Sequence, residues 1–176
     1  MHRSQDYFLR TARLGFRTWS TEDLPLALAL WGDSRVTRLI GGPFSPAKVA
    51  EKLRQEATWQ EQYGIQYWPI FLLETGAHVG CAGLRPYRPN PETPELGFHL
   101  RRECWGMGLA EEASRGVIAY AFTELHAAGV VAGHHQENVA SKHILEKLGF
   151  QFTREELYPP TGLMHPLYLL ERPREK

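Results

Sequence analysis

Several features that would assign the chain to a special class are scarce or missing. It has only two cysteines, Cys81 and Cys104, in no ligand-like spacing. A disulfide framework and a thiolate metal site are therefore poorly supported, and free thiols in a reducing compartment are the expected state. Net charge is also missing, since twenty Lys and Arg offset twenty Asp and Glu. No strong overall field draws the protein to nucleic acid or to an anionic membrane. No apolar run approaches the length of a bilayer span, and the opening Met1-His2-Arg3-Ser4-Gln5-Asp6 lacks the apolar stretch of a signal peptide, so a cytoplasmic protein is expected. Repeats and low-complexity tracts are absent. The Pro-rich stretch from Arg85 to Pro94 reads as one stiff loop rather than a linker.

What is present fits one soluble domain over residues 1–176: 43% hydrophobic and 23% charged residues, in a length that buries a sizeable core. Leu14 to Trp19 is a strand candidate. Ser20 and Thr21 then offer N-caps for a first helix reaching about Trp31. Ser45 and Pro46 open a second helix, with Val49, Leu53, Ala57 and Gln60 as its inner stripe and Gly64 as its stop. Tyr67 to Glu74 and Val79 to Leu84 read as an antiparallel hairpin around Thr75 to His78. In Glu95 to Leu100 the side chains alternate: Glu95, Gly97 and His99 share one face, and Leu96, Phe98 and Leu100 the other. A long helix follows from Leu109, with Ala110, Ala113, Val117, Ala121 and Leu125 inward and Gly129 closing it. Val130 to Ala132 is a short apolar strand, Asn138 caps a helix that Gly149 stops, and Phe150 to Leu157 and Leu167 to Glu171 are the last strands. This order predicts an α/β fold with a mixed, mainly antiparallel sheet.

Trp105-Gly106-Met107-Gly108-Leu109-Ala110 joins a strand to a helix. A helix start leaves backbone N–H groups unpaired and carries partial positive charge, and glycines let that backbone approach an anion closely. The segment has neither the Gly-Lys-Ser/Thr of a Walker loop nor the three glycines of a dinucleotide fingerprint. By itself it supports an anion site or a tight strand-to-helix connection.

Read together with Asn138-Val139-Ala140-Ser141-Lys142-His143-Ile144-Leu145-Glu146-Lys147-Leu148-Gly149-Phe150, the stretch Glu103 to Ala113 resembles the GNAT acetyltransferase superfamily. More narrowly it is similar to the branch holding the Rim-type ribosomal-protein N-terminal acetyltransferases. Thr11-Ala12-Arg13-Leu14, Arg17, Asp23-Leu24 and Gly41-Gly42 extend the similarity over nearly the whole chain. The resemblance implies a single-domain GNAT fold with a splayed parallel strand pair at the coenzyme A site. It also implies acetyl-CoA as co-substrate with no metal, an amine acceptor that is a protein N-terminus or a small molecule, and room for a homodimer. By the same resemblance, backbone amides of Trp105, Gly106, Met107, Gly108, Leu109 and Ala110 hold the pyrophosphate. The pantetheine arm pairs near Phe98, His99 and Leu100, and Asn138 contacts the pantetheine region while also capping its helix.

Transfer of acetyl from a thioester to an amine needs a base for the ammonium, a donor for the oxyanion and a proton for the thiolate. Glu95 is the base candidate, with His99, His134 and His135 as competitors. The adjacent His134 and His135 lack a third ligand at metal-binding spacing, so no metal is expected. Where many relatives carry a tyrosine acid, this chain has Leu145, and Ser141 one turn earlier is the substitute proton donor. Leu145 also motivates an alternative, a non-catalytic acyl-CoA-binding sensor on the same fold. Lys142 and Lys147 are expected to solvate a helix face, and Trp59, Tyr63, Tyr67 and Trp68 to be mainly core.

Overall fold

In the computed structural model, which describes residues 6–173, eight strands form one sheet ordered β1-β2-β3-β4-β5-β6-β8-β7. They are β1 (Leu9–Arg10), β2 (Leu14–Phe16), β3 (Tyr67–Leu72), β4 (His78–Arg85), β5 (Glu95–Leu100), β6 (Gly129–Gly133), β7 (Gln151–Tyr158) and β8 (Leu163–Glu171). The helices are α1 (Leu24–Trp31), α2 (Ser34–Thr37), α3 (Pro46–Tyr63), α4 (Leu109–Thr123) and α5 (Val139–Lys147). The residues Met1 to Gln5, on which the signal-peptide expectation turned, lie outside the described residues. No helix among the described residues is long and apolar enough to cross a membrane.

Alternation along β5 splits the core as its sequence predicts. Leu96 and Leu100 join Trp68, Ile70 and Leu84 on the face covered by α4 and α5, where Leu109, Ala113, Val117, Ala121 and Leu145 complete the main cluster. The opposite face is covered by α1 and α3, whose Leu30, Trp31, Val49 and Leu53 pack with Trp19, Tyr67 and Cys81. Neighbouring strands run antiparallel except β5 and β6, whose parallel pairing consists of the single register match Glu95 to Val131. Beyond that bridge the two strands part, and α4 and α5 begin on either side of the opening.

The helix signals hold at most ends. The Ser45 hydroxyl accepts from the Lys48 N–H at 3.2 Å, and Gly64 stops α3 in the left-handed region at φ 70°. Within α3 the inner stripe differs from expectation. Ala57 is exposed and Glu56 is fully buried in its place, because its carboxylate finds charge and N–H partners inside. The α4 helix ends at Thr123, not near Gly129. His126 turns the chain at φ 54°, the Ala127 N–H reaches back to the Ala121 carbonyl at 2.9 Å, and Gly129 instead opens β6. His78, expected in a turn, is the first residue of β4 and pairs with Phe71. β8 begins at Leu163, earlier than expected, because the whole of β7 offers it a partner. The short elements β1 and α2 carry too little pattern to be seen in the sequence. Both cysteines are free.

Candidate active site

The gap between β5 and β6 opens a cavity of about 730 Å³. One wall is β5, from Glu95 to Leu100. A second is the start of α5, with Asn138, Ser141, Ile144 and Leu145, and the far end carries Tyr87, Glu156, Tyr158 and His165. The register explains why β5 presents usable backbone. The Val131 N–H donates to the Pro94 carbonyl at 3.0 Å, so the even positions of β5 turn their amides toward β6. At Phe98 that edge has no strand partner, and two positions on the Leu100 carbonyl accepts the Trp105 indole N–H at 2.9 Å. That bond ties the glycine loop to the end of the strand.

Both loop glycines are left-handed, Gly106 and Gly108 each at φ 73°, and Gly108 is the N-cap of α4. Left-handed backbone disfavours residues with a Cβ, so the two glycines are conformationally required. They also leave the helix start open: a Cβ on Gly106 would meet nothing within 4 Å, and one on Gly108 only the Arg13 guanidinium at 3.6 Å. Arg13 is a clamp that the sequence did not reveal. It donates to the Met107 carbonyl at 3.0 Å and to Glu112 at 2.6 Å, while Thr11 donates to the same carboxylate at 2.6 Å. The partners lie about a hundred positions apart in the chain, and no local pattern announces such a pairing. Of the six loop residues, Trp105, Gly106 and Ala110 line the cavity; Met107, Gly108 and Leu109 do not, and the Leu109 side chain is core.

The predicted polar residues occupy distinct positions. Glu95 and Ser141 stand on two walls of the same cavity. The Glu95 carboxylate has no hydrogen bond or ion pair among the described residues. It lines the cavity and is otherwise largely surrounded by protein. Burial therefore raises its pKa, Arg85 and Lys52 pull it back, and Glu156 adds to the rise. The Asn138 side-chain oxygen accepts the Ser141 N–H at 3.1 Å, which caps α5 and fixes Ser141 in its first turn. Leu145 is 1% exposed and belongs to the core.

The histidines are engaged in different ways. The Trp31 indole N–H donates to His99 Nδ1 at 3.1 Å. Burial, with Lys52 and Arg85 nearby, holds His99 well below the usual imidazole range. His134 Nδ1 lies 2.7 Å from the His135 carbonyl, so it is the protonated nitrogen, and its Nε2 faces the Tyr168 hydroxyl at 3.3 Å. His135 Nδ1 accepts the Glu137 N–H at 3.1 Å. Among the described residues no group of three or more His, Cys, Asp or Glu side chains is arranged to hold a metal.

Behind the Glu95 wall sits a buried charge cluster. Glu56 accepts the Tyr67 N–H at 2.8 Å and Arg85 Nη2 at 2.9 Å, and Lys52 Nζ lies 3.8 Å from the same carboxylate. The Arg85 guanidinium covers the Tyr67 ring at 3.8 Å. Gly97 makes room for this arrangement, since a Cβ there would overlap the Tyr67 phenol. Burial lowers the Lys52 ammonium to about 8, with Arg85 adding and Glu56 opposing. At the far end the Tyr87 hydroxyl donates to Glu156 at 2.7 Å, and Arg154 bonds both.

A parallel pair that parts after one bridge, beside a glycine turn at a helix start, gives an open α/β sheet with a groove between the two strands. The family profile described as "Acetyltransferase (GNAT) domain" matches residues 13–151, and the chain belongs to that family, whose acetyl donor is acetyl-CoA. Its relatives include the "Uncharacterized N-acetyltransferase p20" of Bacillus licheniformis, 30% identical over 145 residues, which cover 81% of this chain and 82% of that protein. The fold also matches RimL, a ribosomal L7/L12 alpha-N-protein acetyltransferase solved with coenzyme A. The TM-score is 0.79 at 13% identity, over 94% of this chain and 98% of RimL. The aminoglycoside acetyltransferase AAC(6')-Ib, also solved with coenzyme A, matches at TM-score 0.75 and 16% identity, over 90% and 95% of the two chains.

Proposed function

We propose that the chain moves the acetyl group of acetyl-CoA to a primary amine, on a protein N-terminus or a small molecule, with Glu95 as base and Ser141 as the hydroxyl serving the departing thiolate. One observation carries this reading: Glu95 and Ser141 face a single cavity whose wall between them is the open edge of β5. The amides of 105–110 would hold the pyrophosphate at the start of α4, as helix termini hold anions. The Phe98 edge would pair with the pantetheine arm and place the thioester between the two walls, with the Asn138 amide beside it. Within the family, the early motif around Arg13 and Arg17 favours the Rim-type branch.

The chemistry balances simply. The amine, stripped of its proton by Glu95 directly or through one water, attacks the thioester carbon. The C–N bond forms, the C–S bond breaks, the nitrogen gives up its second proton to solvent, and the coenzyme A thiolate leaves. Ser141 donates a hydrogen bond to that sulfur and relays a proton to it from solvent. A carboxylate held above its ordinary range is a stronger base than an exposed one, which is what deprotonating an alkylammonium requires.

The test is calorimetric titration with acetyl-CoA, followed by thiol release across a panel of amines that includes peptide N-termini. We expect binding, and turnover on at least one amine that Glu95→Gln reduces by a hundredfold or so, in line with the usual size of general-base effects. Binding without turnover on any amine would favour an acyl-CoA sensor, the alternative that the core leucine Leu145 suggests. Normal turnover in Glu95→Gln would remove the base assignment.

A further inference from the structure

We propose that Glu56, buried on α3, is a positioning residue for Glu95: it ties up the Arg85 guanidinium in its own ion pair and so keeps the cavity carboxylate unpaired. The inference rests on Glu95 being the base. Arg85 and Glu95 are direct cross-strand partners on β4 and β5. Side chains so placed share a face of the sheet and begin about 5 Å apart, a distance at which opposite charges ordinarily pair. They do not pair here. Arg85 Nη2 donates to Glu56 Oε1 at 2.9 Å and its guanidinium lies flat on Tyr67.

Glu56 is built for this task rather than for solubility. It is 0% exposed, and its second oxygen is fixed by the Tyr67 N–H at 2.8 Å. Burying a carboxylate is costly unless charge and hydrogen bonds compensate. Arg85, Lys52 and the Tyr67 amide supply both. The charged and titratable groups that face Glu95 are Arg85 on β4, Tyr67 on β3, Lys52 on α3, Tyr87 after β4, Glu156 and Tyr158 on β7, and His99 on its own strand. Of these, Arg85 is the cation opposite it in register. Without Glu56, that cation keeps only its ring contacts with Tyr67 and Trp59 and its bond to Tyr158, no carboxylate holds it, and it can close on Glu95; a carboxylate paired with arginine typically loses about one to three pH units of basicity.

The test follows the Glu95 carboxyl of the full chain by 13C NMR from pH 3 to 9, in the wild type, Glu56→Gln, Arg85→Gln and the double variant. The glutamine at 56 keeps an acceptor for the Tyr67 N–H and replaces the oxygen that holds Arg85 with an uncharged amide nitrogen. We expect the Glu95 midpoint to fall by about one pH unit in Glu56→Gln, to rise in Arg85→Gln, and to rise in the double variant. General loosening of the fold would hydrate Glu95 and lower the midpoint in all three, so opposite signs separate the mechanism from damage. A midpoint unmoved in Glu56→Gln, or one that stays low in the double variant, overturns the proposal. This readout needs no acceptor. If the acidic limb of the pH-rate profile survives Glu95→Gln, the base reading fails independently. If the limb disappears in that variant but the Glu56 series does not move the titration, only the positioning role fails.

Discussion

The indole N–H of Trp31 donates to Nδ1 of His99 at 3.1 Å. An indole can only donate, so Nδ1 keeps its lone pair and the ring proton sits on Nε2. The lone pair of His99 is therefore taken up by the indole, and the ring offers no free base. Burial and two nearby cations disfavour a second proton. We predict that 1H–15N NMR finds His99 neutral as the Nε2–H tautomer from pH 5 to 8, and that His99→Gln leaves the position of the acidic limb of the rate profile unchanged. A midpoint for His99 inside that window would contradict both.

Gly108 and Gly64 share nearly the same backbone, at φ 73° and 70°, but only Gly108 lies at the glycine loop. Substituting alanine at either costs about 1 kcal/mol or somewhat more through left-handed strain. Both variants should melt a few degrees lower. Only Gly108→Ala is expected to raise the KM for acetyl-CoA, by about tenfold, the equivalent of some 1.4 kcal/mol of binding. Equal KM values in the two variants would detach the loop from cofactor binding.

Glu95 offers a second, thermodynamic signature. Its folded-state pKa is raised, mainly by burial. For such a group the favourable contribution is fully present below the unfolded value and is lost as pH rises through the folded one. Glu95→Gln removes that loss. We therefore predict equal melting temperatures for wild type and variant near pH 4, and a variant that is more stable as pH climbs past the ordinary carboxylate range. A wild type that is instead the more stable of the two above that range, with the gap closing toward acid, would show that the carboxylate is ion-paired.

Ser141 and Leu145 sit one turn apart on α5 and should separate cleanly. The Ser141 hydroxyl has no hydrogen-bond partner among the described residues, so Ser141→Ala should change stability by no more than about 0.5 kcal/mol. Turnover should nonetheless drop about tenfold or more. Leu145→Ala leaves a void in a core position and should cost about 2 to 5 kcal/mol in urea unfolding. Full turnover in Ser141→Ala would remove its role.

Much of this was legible in the chain. Ser45, Gly64, Asn138 and Gly149 act within a few residues, through caps and left-handed turns that depend on local chemistry alone. The alternation from Glu95 to Leu100 sorts side chains by period two whatever lies beyond the sheet. Buried polar pairing was not legible. Nothing local marks Glu56 as inward, since a lone carboxylate belongs in water, and only Arg85, twenty-nine positions on, makes its burial tolerable. Likewise His126 took a role sought for glycine, and Leu125 stayed near the core although its helix had ended.

The sequence by itself determined the order of elements, the two faces of β5 and the glycine turn at the start of α4, because each follows from backbone preference and hydrophobic period. Tertiary structure alone decided that β5 and β6 part after Glu95 and Val131, that Arg13 clamps Met107, and that Arg85 serves Glu56 instead of Glu95. Those outcomes depend on which distant groups meet in a low-dielectric interior, where an unpaired charge is so costly that its partner, more than its own position in the chain, sets what it does.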